Sequence, residues 1–316
     1  MKLFLSLAEL LLPILTTLAL GYLCRRLRFI PKEAVSGIKK LITNILLPIV
    51  IFDALSTVRY SLDLLVIVAT IFVGTGIQLL VGFCCAKKAL GEYGAYTPFL
   101  IAGSEVGMLG YALFALLAGQ NNVHYMASLD LGNGLFLNLI SLGLLSVASG
   151  EPTSFRKTVA TIFKLPTFIA TMLGVAVGVS GVAGMVQSSS FSGVYTSLVD
   201  FLTTPVSALV LFCVGYECRL HVSILQPARK AILFRVLTAA VVCGMSYRVI
   251  FAFLAYDSTL AMALVLFFAL PASMIVPMFT KRDADNQYTS TTLSLYLFIT
   301  MLVFGVLLYH QLMASI

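Results

Sequence analysis

Ten long apolar segments with short polar gaps between them fill nearly the whole of this 316-residue chain, and that pattern leaves it few ways to fold. With 60% hydrophobic and only 10% charged residues, it carries more apolar surface than a water-soluble core of this length can hide. The segments are continuous rather than alternating, and each is long enough for the roughly 20 residues that cross a bilayer as helix. We therefore read an all-α membrane protein with ten transmembrane helices, at 4–24, 34–57, 63–86, 95–118, 124–148, 159–180, 193–216, 230–252, 258–280 and 287–310. The first segment follows Lys2 as a signal peptide would, but Arg25, Arg26 and Arg28 come directly after it and no small-residue cleavage site lies near Cys24. A retained helix is expected there.

Basic residues collect in every second gap. Arg25, Arg26, Arg28, Lys32, Lys39 and Lys40 follow helix 1, and Lys87 and Lys88 follow helix 3. Arg156, Lys157 and Lys164 follow helix 5, Arg219, Arg229, Lys230 and Arg235 follow helix 7, and Lys281 and Arg282 follow helix 9. Only Lys2, Arg59 and Arg248 fall on the other side. Positively charged loops stay cytoplasmic, so the pattern predicts a multi-pass protein of the cell membrane with both termini outside the cytoplasm. The net charge of +7 is then a signal of topology and of contact with the lipid bilayer. No continuous basic face suggests a nucleic-acid partner. The six cysteines form no Cys-x-x-Cys pair and His124, His221 and His310 are scattered, so neither a metal site nor a cofactor is expected.

The halves of the chain echo one another. Helix 1 has Pro13 and then Gly21; helix 6 has Pro166 and then Gly174 at the same spacing. Helices 2 and 7 carry mid-span prolines, Pro48 and Pro205. Helix 4 is interrupted by Gly103, Gly107 and Gly110, helix 9 by Pro271 and Pro277. Five helices in each half is an odd number, so the second half must be inverted in the membrane relative to the first. This gives a 5+5 inverted repeat, residues 1–150 and 151–316, with broken helices 4 and 9 at matching places. Glycine and proline free backbone groups that lipid cannot satisfy, so such breaks line protein or a water-filled cavity. Paired breaks in inverted repeats point to alternating-access transport of a small-molecule solute.

Leu11-Leu12-Pro13, Leu20-Gly21-Tyr22 and Arg25-Arg26-Leu27, Leu46-Leu47-Pro48 in helix 2, and Phe279-Thr280-Lys281-Arg282-Asp283 before helix 10 resemble, in their order and spacing, the auxin efflux carrier family in its short bacterial form. The resemblance implies scaffold helices 1, 2, 6 and 7, a moving transport domain of helices 3–5 and 8–10, crossing helices 4 and 9, an organic acid as solute, and a homodimer. That family's helix 4 usually reads Gly-Asn-Thr-Gly-x-x-Gly-x-Pro, whereas this chain has Ser104-Glu105-Val106-Gly107-Met108-Leu109-Gly110-Tyr111-Ala112. In helix 9, Pro-x-x-x-Asn reads Pro271-Ala272-Ser273-Met274-Ile275. The two asparagines that hold a carboxylate in such carriers are therefore absent.

The candidate solute site is Gly103, Ser104, Glu105, Gly107 and Gly110 from helix 4, with Pro271, Ser273, Met274 and Ile275 from helix 9. Glu105 stands out because a carboxylate at membrane depth needs a partner, a cavity or a bound proton. It could carry a proton, ligate Na⁺ or a cationic solute, or donate to an anion while protonated; a purely structural pairing is the alternative. Asp130, Asn133, Asn138 and Ser141 form one stripe on helix 5, either lining a pocket or linking helices. Asn44 and Pro48 join Asp130, Asn133 and Asn138 as possible pocket or support residues: Asn44, one turn before Pro48, is expected to cap a carbonyl that the proline frees, with a contact to the solute as the alternative. Asp53 and Asp200 read as solvated, Glu217 and Arg219 as a surface pair. The leading reading is a secondary carrier of organic anions; the second is an H⁺- or Na⁺-coupled carrier of a cationic or neutral solute through Glu105. A channel, a sensor and a membrane-embedded enzyme are more remote. Tyr256-Asp257 has no partner Gly-x-Gly-Asp, and neither His-Glu-x-x-His nor a Walker loop occurs, so an enzyme is not expected.

Overall fold

The computed structural model describes residues 2–58, 60–150, 163–219 and 221–314, and among these every regular element is helical. Seven helical runs are long and apolar enough to cross a membrane: Lys32–Ser56, Leu62–Cys85, Thr97–Ala118, Gln120–Ala148, Ser192–Glu217, Leu225–Phe253 and Asp283–Met313. Arg59, Arg156, Lys157 and the start of the expected sixth span (159–162) lie outside the described residues.

The chain begins with α1 (Lys2–Arg26). Next, α2 (Lys32–Leu41) and α3 (Leu47–Ser56) form one rod, joined by a π-helical turn over Ile42–Leu46. Pro48 explains that turn. Its ring has no N–H to give and would clash with the carbonyl one turn back, and the wider turn makes room for both. Among the described residues, Asn44 caps no carbonyl. Its side chain is exposed, contrary to the expected capping role.

Then come α4 (Leu62–Ala89) and α5 (Thr97–Ile101). α5 stops at Ala102, whose backbone is extended, and Gly103 follows with φ of +70°. The chain re-enters helix through a π-helical turn over Val106–Gly110 into α6 (Tyr111–Ala118). α7 (Val123–Phe136) and α8 (Leu142–Ala148) continue one another through a further π-helical turn. The second half holds α9 (Pro166–Ser180), α10 (Val182–Gln187), α11 (Ser192–Thr203) and α12 (Val206–Glu217). After α13 (Leu225–Phe253) and α14 (Ser258–Ala269) a second break follows. Leu270, ahead of Pro271, is extended, as a residue before proline prefers. A short turn at Val276–Phe279 then leads to α15 (Asp283–Ala314).

Glycines set how closely these rods pack. α1 lies against α12, α9 against α3 and α4 against α7. A Cβ on Gly21 would sit 2.1 Å from the Phe212 carbonyl oxygen, and one on Gly215 2.1 Å from that of Leu18. Gly132 meets the Val68 carbonyl in the same way at 2.4 Å, and a Cβ on Gly174 would lie 2.9 Å from Leu55 Cβ. Lipid provides no hydrophobic drive between helices, so small residues that let backbones touch supply the dispersion contact instead.

Three expectations about charges are corrected here. Arg235 does not sit in a loop: it lies well inside α13 and is only 1% exposed. Glu217 pairs with Lys39 across α12 and α2, Nζ to Oε1 at 2.5 Å, rather than with Arg219. Asp53 accepts a hydrogen bond from the Tyr195 hydroxyl at 2.8 Å instead of facing water. For Glu217 and Asp53 the partner lies more than a hundred residues away in sequence.

Gly21→Leu should separate α1 from α12 and cost about 1–3 kcal/mol, read as a fall in melting temperature. Gly37→Ala is the control: nothing lies within 4 Å of its Cβ position, and melting should be unchanged or slightly higher. Asp257 caps the start of α14 by accepting from the Thr259 and Leu260 amides at 2.7 and 3.2 Å, and it also accepts from the Tyr125 hydroxyl. Burial alone would raise its pKa, but these hydrogen bonds prevail and hold the carboxyl below the usual aspartate value. A folded-state pKa below the unfolded one adds stability above the unfolded value and loses it as pH falls through the folded one. Asp257→Ala should therefore cost about 1 kcal/mol at neutral pH. The gap from wild type should close in acid, as thermal melts across a pH series would register.

Candidate functional site

The two helix breaks meet. The Glu105 amide donates to the Pro271 carbonyl at 2.8 Å, so the strand-like residues of one break bond to those of the other. Each break leaves backbone groups that helix geometry would have paired, and their partners can be followed one by one.

The carbonyls converge on one cation. Arg235 reaches from α13 and donates from Nη1 to Leu100 O (3.1 Å) and Ile101 O (2.9 Å). From Nη2 it donates to Gly103 O (2.7 Å) and Leu270 O (2.6 Å). Its guanidinium lies 4.8 Å from the centre of the Tyr296 ring. The Ala269 carbonyl takes the Thr300 hydroxyl at 2.7 Å. These carbonyls end α5 and α14, where helix dipoles are negative, so a positive charge is well placed.

The amides find partners on the other side of the breaks. Gly103 N–H donates to Gln78 Oε1 at 3.3 Å, and Ser104 N–H to Asn133 Oδ1 at 3.2 Å. Asn133 returns a bond from Nδ2 to the Ser104 carbonyl at 3.0 Å and another to Asp130 Oδ1 at 3.3 Å. Tyr111 donates to Asp130 Oδ2 at 3.1 Å. Glu105 itself takes two amides, one from each break: Met108 N–H to Oε1 at 3.4 Å and Met274 N–H to Oε2 at 2.7 Å. Among the described residues, neither Glu105 nor Asp130 forms a salt bridge.

Beside this junction lies a cleft of about 730 Å³, a volume suited to a small organic molecule. One wall comes from α2, α3 and α9, including Lys39, Asn44, Leu47, Thr167 and Thr171. The other carries Ser104, Glu105, Gly107, Ser273, Met274 and Ile275, with the helix-5 stripe of Asp130, Asn133, Asn138 and Ser141. Four of the expected site residues do not line it. Gly103 packs on Leu137 and Asn133, Gly110 on Leu270 and Val106, Pro271 offers only its carbonyl to Glu105, and Pro48 shapes the α2–α3 joint. They build the breaks rather than touch the cleft. Sequence reasoning missed Arg235 altogether, because it stands near Arg229 and Lys230 and reads as one more loop charge. Its place inside the expected span 230–252 was the available signal.

Gly107 faces the cleft with nothing near its Cβ position except Glu105 Oε1 at 3.8 Å. Gly107→Leu should therefore fold as wild type does while filling the cleft. Its melting temperature should hold, and the stabilisation by any small molecule that raises the wild-type value should disappear.

Residues 6–148 match the family model described as membrane transport protein. A protein of Methanothermobacter thermautotrophicus described as an uncharacterized transporter is 22% identical over 300 residues, covering 91% of this chain and 93% of the relative. The family that the sequence resembles is thus the one whose model its first half matches: the membrane transport proteins of the auxin efflux carrier family.

Proposed function

We propose that this chain is a secondary carrier that moves a small organic solute across the cell membrane by alternating access, with the solute held in the cleft beside Glu105. The inverted 5+5 repeat is part of this reading, and the packing supports it. When the two halves are exchanged, the contact of α1 with α12 becomes that of α9 with α3. Likewise α4 on α7 becomes α13 on α15, and α4 on α5 becomes α13 on α14. The repeat-matched glycines behave alike, Gly21 against α12 and Gly174 against α3. The breaks in helices 4 and 9 are then the crossover of the two repeats. The cleft lies along the seam between the scaffold (helices 1, 2, 6 and 7) and a transport domain (helices 3–5 and 8–10), where an elevator-like slide would carry the solute past the scaffold. On this reading, with basic loops cytoplasmic and both termini outside, Lys32, Lys39, Lys40 and Arg219, which line the cleft, belong to its cytoplasmic side. A homodimer through the scaffold belongs to the same reading.

The observation that carries the solute class is the double amide contact of Glu105. Amides at the starts of half-helices are where a carrier of this plan would seat an anion. Here the chain's own carboxylate already takes the Met108 amide of the first break and, at 2.7 Å, the Met274 amide in the turn of the second. What remains open toward the cleft is carboxylate lone pairs, with Asp130 close by. That favours the second reading over the organic-acid one: a solute that offers a hydrogen-bond donor or a positive charge, with H⁺ or Na⁺ coupling centred on Glu105 and Asp130.

A stabilisation screen of the purified protein tests this directly. Small amines, neutral polyols, mono- and dicarboxylates and NaCl are added at two pH values, since a ligand raises stability with the logarithm of its concentration over Kd. Amines or polyols should raise the melting temperature, and Glu105→Gln should weaken that binding by about tenfold, equivalent to about 1.4 kcal/mol. The compound found should then show counterflow in proteoliposomes. Stabilisation by carboxylates alone, unchanged in Glu105→Gln, would overturn the solute assignment; flux without saturation or counterflow would replace a carrier with a channel.

A further inference from the structure

Arg235 is the least expected residue in the membrane interior, and the carrier reading above makes no use of it. It is fully buried and, among the described residues, pairs with no carboxylate. All four N–H bonds of its terminal nitrogens end on main-chain carbonyls, three from the first break and one from the second. An ion so placed is tolerated only where its surroundings replace the hydration it loses. Here two helix C-termini and the Tyr296 face do that for the terminal nitrogens, while Nε has no hydrogen-bond partner among the described residues.

We infer that Arg235 is the resident cation of the crossover: a tethered guanidinium that holds the carbonyl ends of α5 and α14 together, and so sets the spacing at which Glu105 bridges Met108 and Met274. The inference builds on the crossover reading, in which half-helix carbonyl ends are places for a positive charge. A mobile cation would bind there reversibly, whereas a side chain from α13 keeps the charge in place through the cycle. The geometry links the two charged residues. Gly103 O receives Arg235 at 2.7 Å two residues before Glu105, and Leu270 O receives it at 2.6 Å one residue before Pro271, whose carbonyl accepts the Glu105 amide. Releasing the guanidinium frees both segments that carry the Glu105 bridge. Arg235 is thus a positioning residue, acting on the site through main chain and not through contact with solute. Lysine is a poor substitute, because one ammonium with three donors cannot span four carbonyls that the planar guanidinium fork reaches.

Guanidinium rescue gives the test. Wild type and Arg235→Gly are purified, and their melting is followed in matched millimolar choline chloride, NaCl, urea and guanidinium chloride. The variant should melt lower than wild type in choline and regain stability, saturably, with guanidinium alone. Hydrogen exchange at the Met108 and Met274 amides reads the positioning role. It should speed by about tenfold or more in the variant and return toward wild type with guanidinium. Unchanged exchange, a wild-type melting temperature in choline, or recovery that urea matches would overturn the inference. If Arg235→Gly cannot be purified, Arg235→Lys decides: faster exchange at both amides is expected, and wild-type exchange and melting would refute the role. None of these measurements needs a solute, so rescue in a protein that shows no flux would remove the carrier reading and leave this one standing.

Discussion

Hydrocarbon offers no hydrogen bonds, so every main-chain group that leaves a helix at membrane depth has to be answered by the protein itself. Two apolar helical stretches here break, after Ile101 and after Ala269, and the rest of the architecture can be followed from how the freed groups are met. Carbonyls from both breaks close on the Arg235 guanidinium, and amides from both close on the Glu105 carboxylate. Between them, the Glu105 amide bonds directly to Pro271. An unmatched polar group in such surroundings costs several kcal/mol, so each charged side chain is held as firmly by the breaks as the breaks are by it.

Close helix packing supports this junction from outside. Gly132 lets α7 touch the backbone of α4, which brings Asn133 against Ser104 and Gln78 against Gly103. Asn133 shows why a polar residue beside a cleft need not be a ligand. Its carbonyl and amide are committed to Ser104 and Asp130, so it fixes the shape of the wall and leaves Glu105 and Asp130 as the groups with capacity to spare. The facing wall is built on the same close approaches, α1 on α12 and α9 on α3, and it contributes Leu47, Ile51 and Leu55 together with Lys39, Asn44, Thr167 and Thr171.

Much of this was legible from residues alone. Continuous apolar runs marked the spans, because a bilayer filters for length and hydropathy whatever the partners. The glycine group at 103–110 and the prolines at 271 and 277 marked the interruptions, because their backbone preferences are local. The helix-5 stripe was visible as a periodicity, and it does face the cleft. Side-chain pairings were not legible. Asn44 was assigned a capping role, whereas its side chain is exposed. Lys39 with Glu217 and Tyr195 with Asp53 join segments distant in sequence, and no local pattern announces them.

The chain by itself determined that it lives in a membrane, that its spans are helical, and where two of them give way, since hydropathy, proline and glycine act within a turn or two of where they stand. Only the tertiary structure decided what the breaks do. It brought residues 100–105 and 270–274 together, delivered Arg235 from a third helix to one end of the junction, and set Glu105 on the amides at the other. Lys39 and Glu217, far apart along the chain, meet only because the packed helices bring them together.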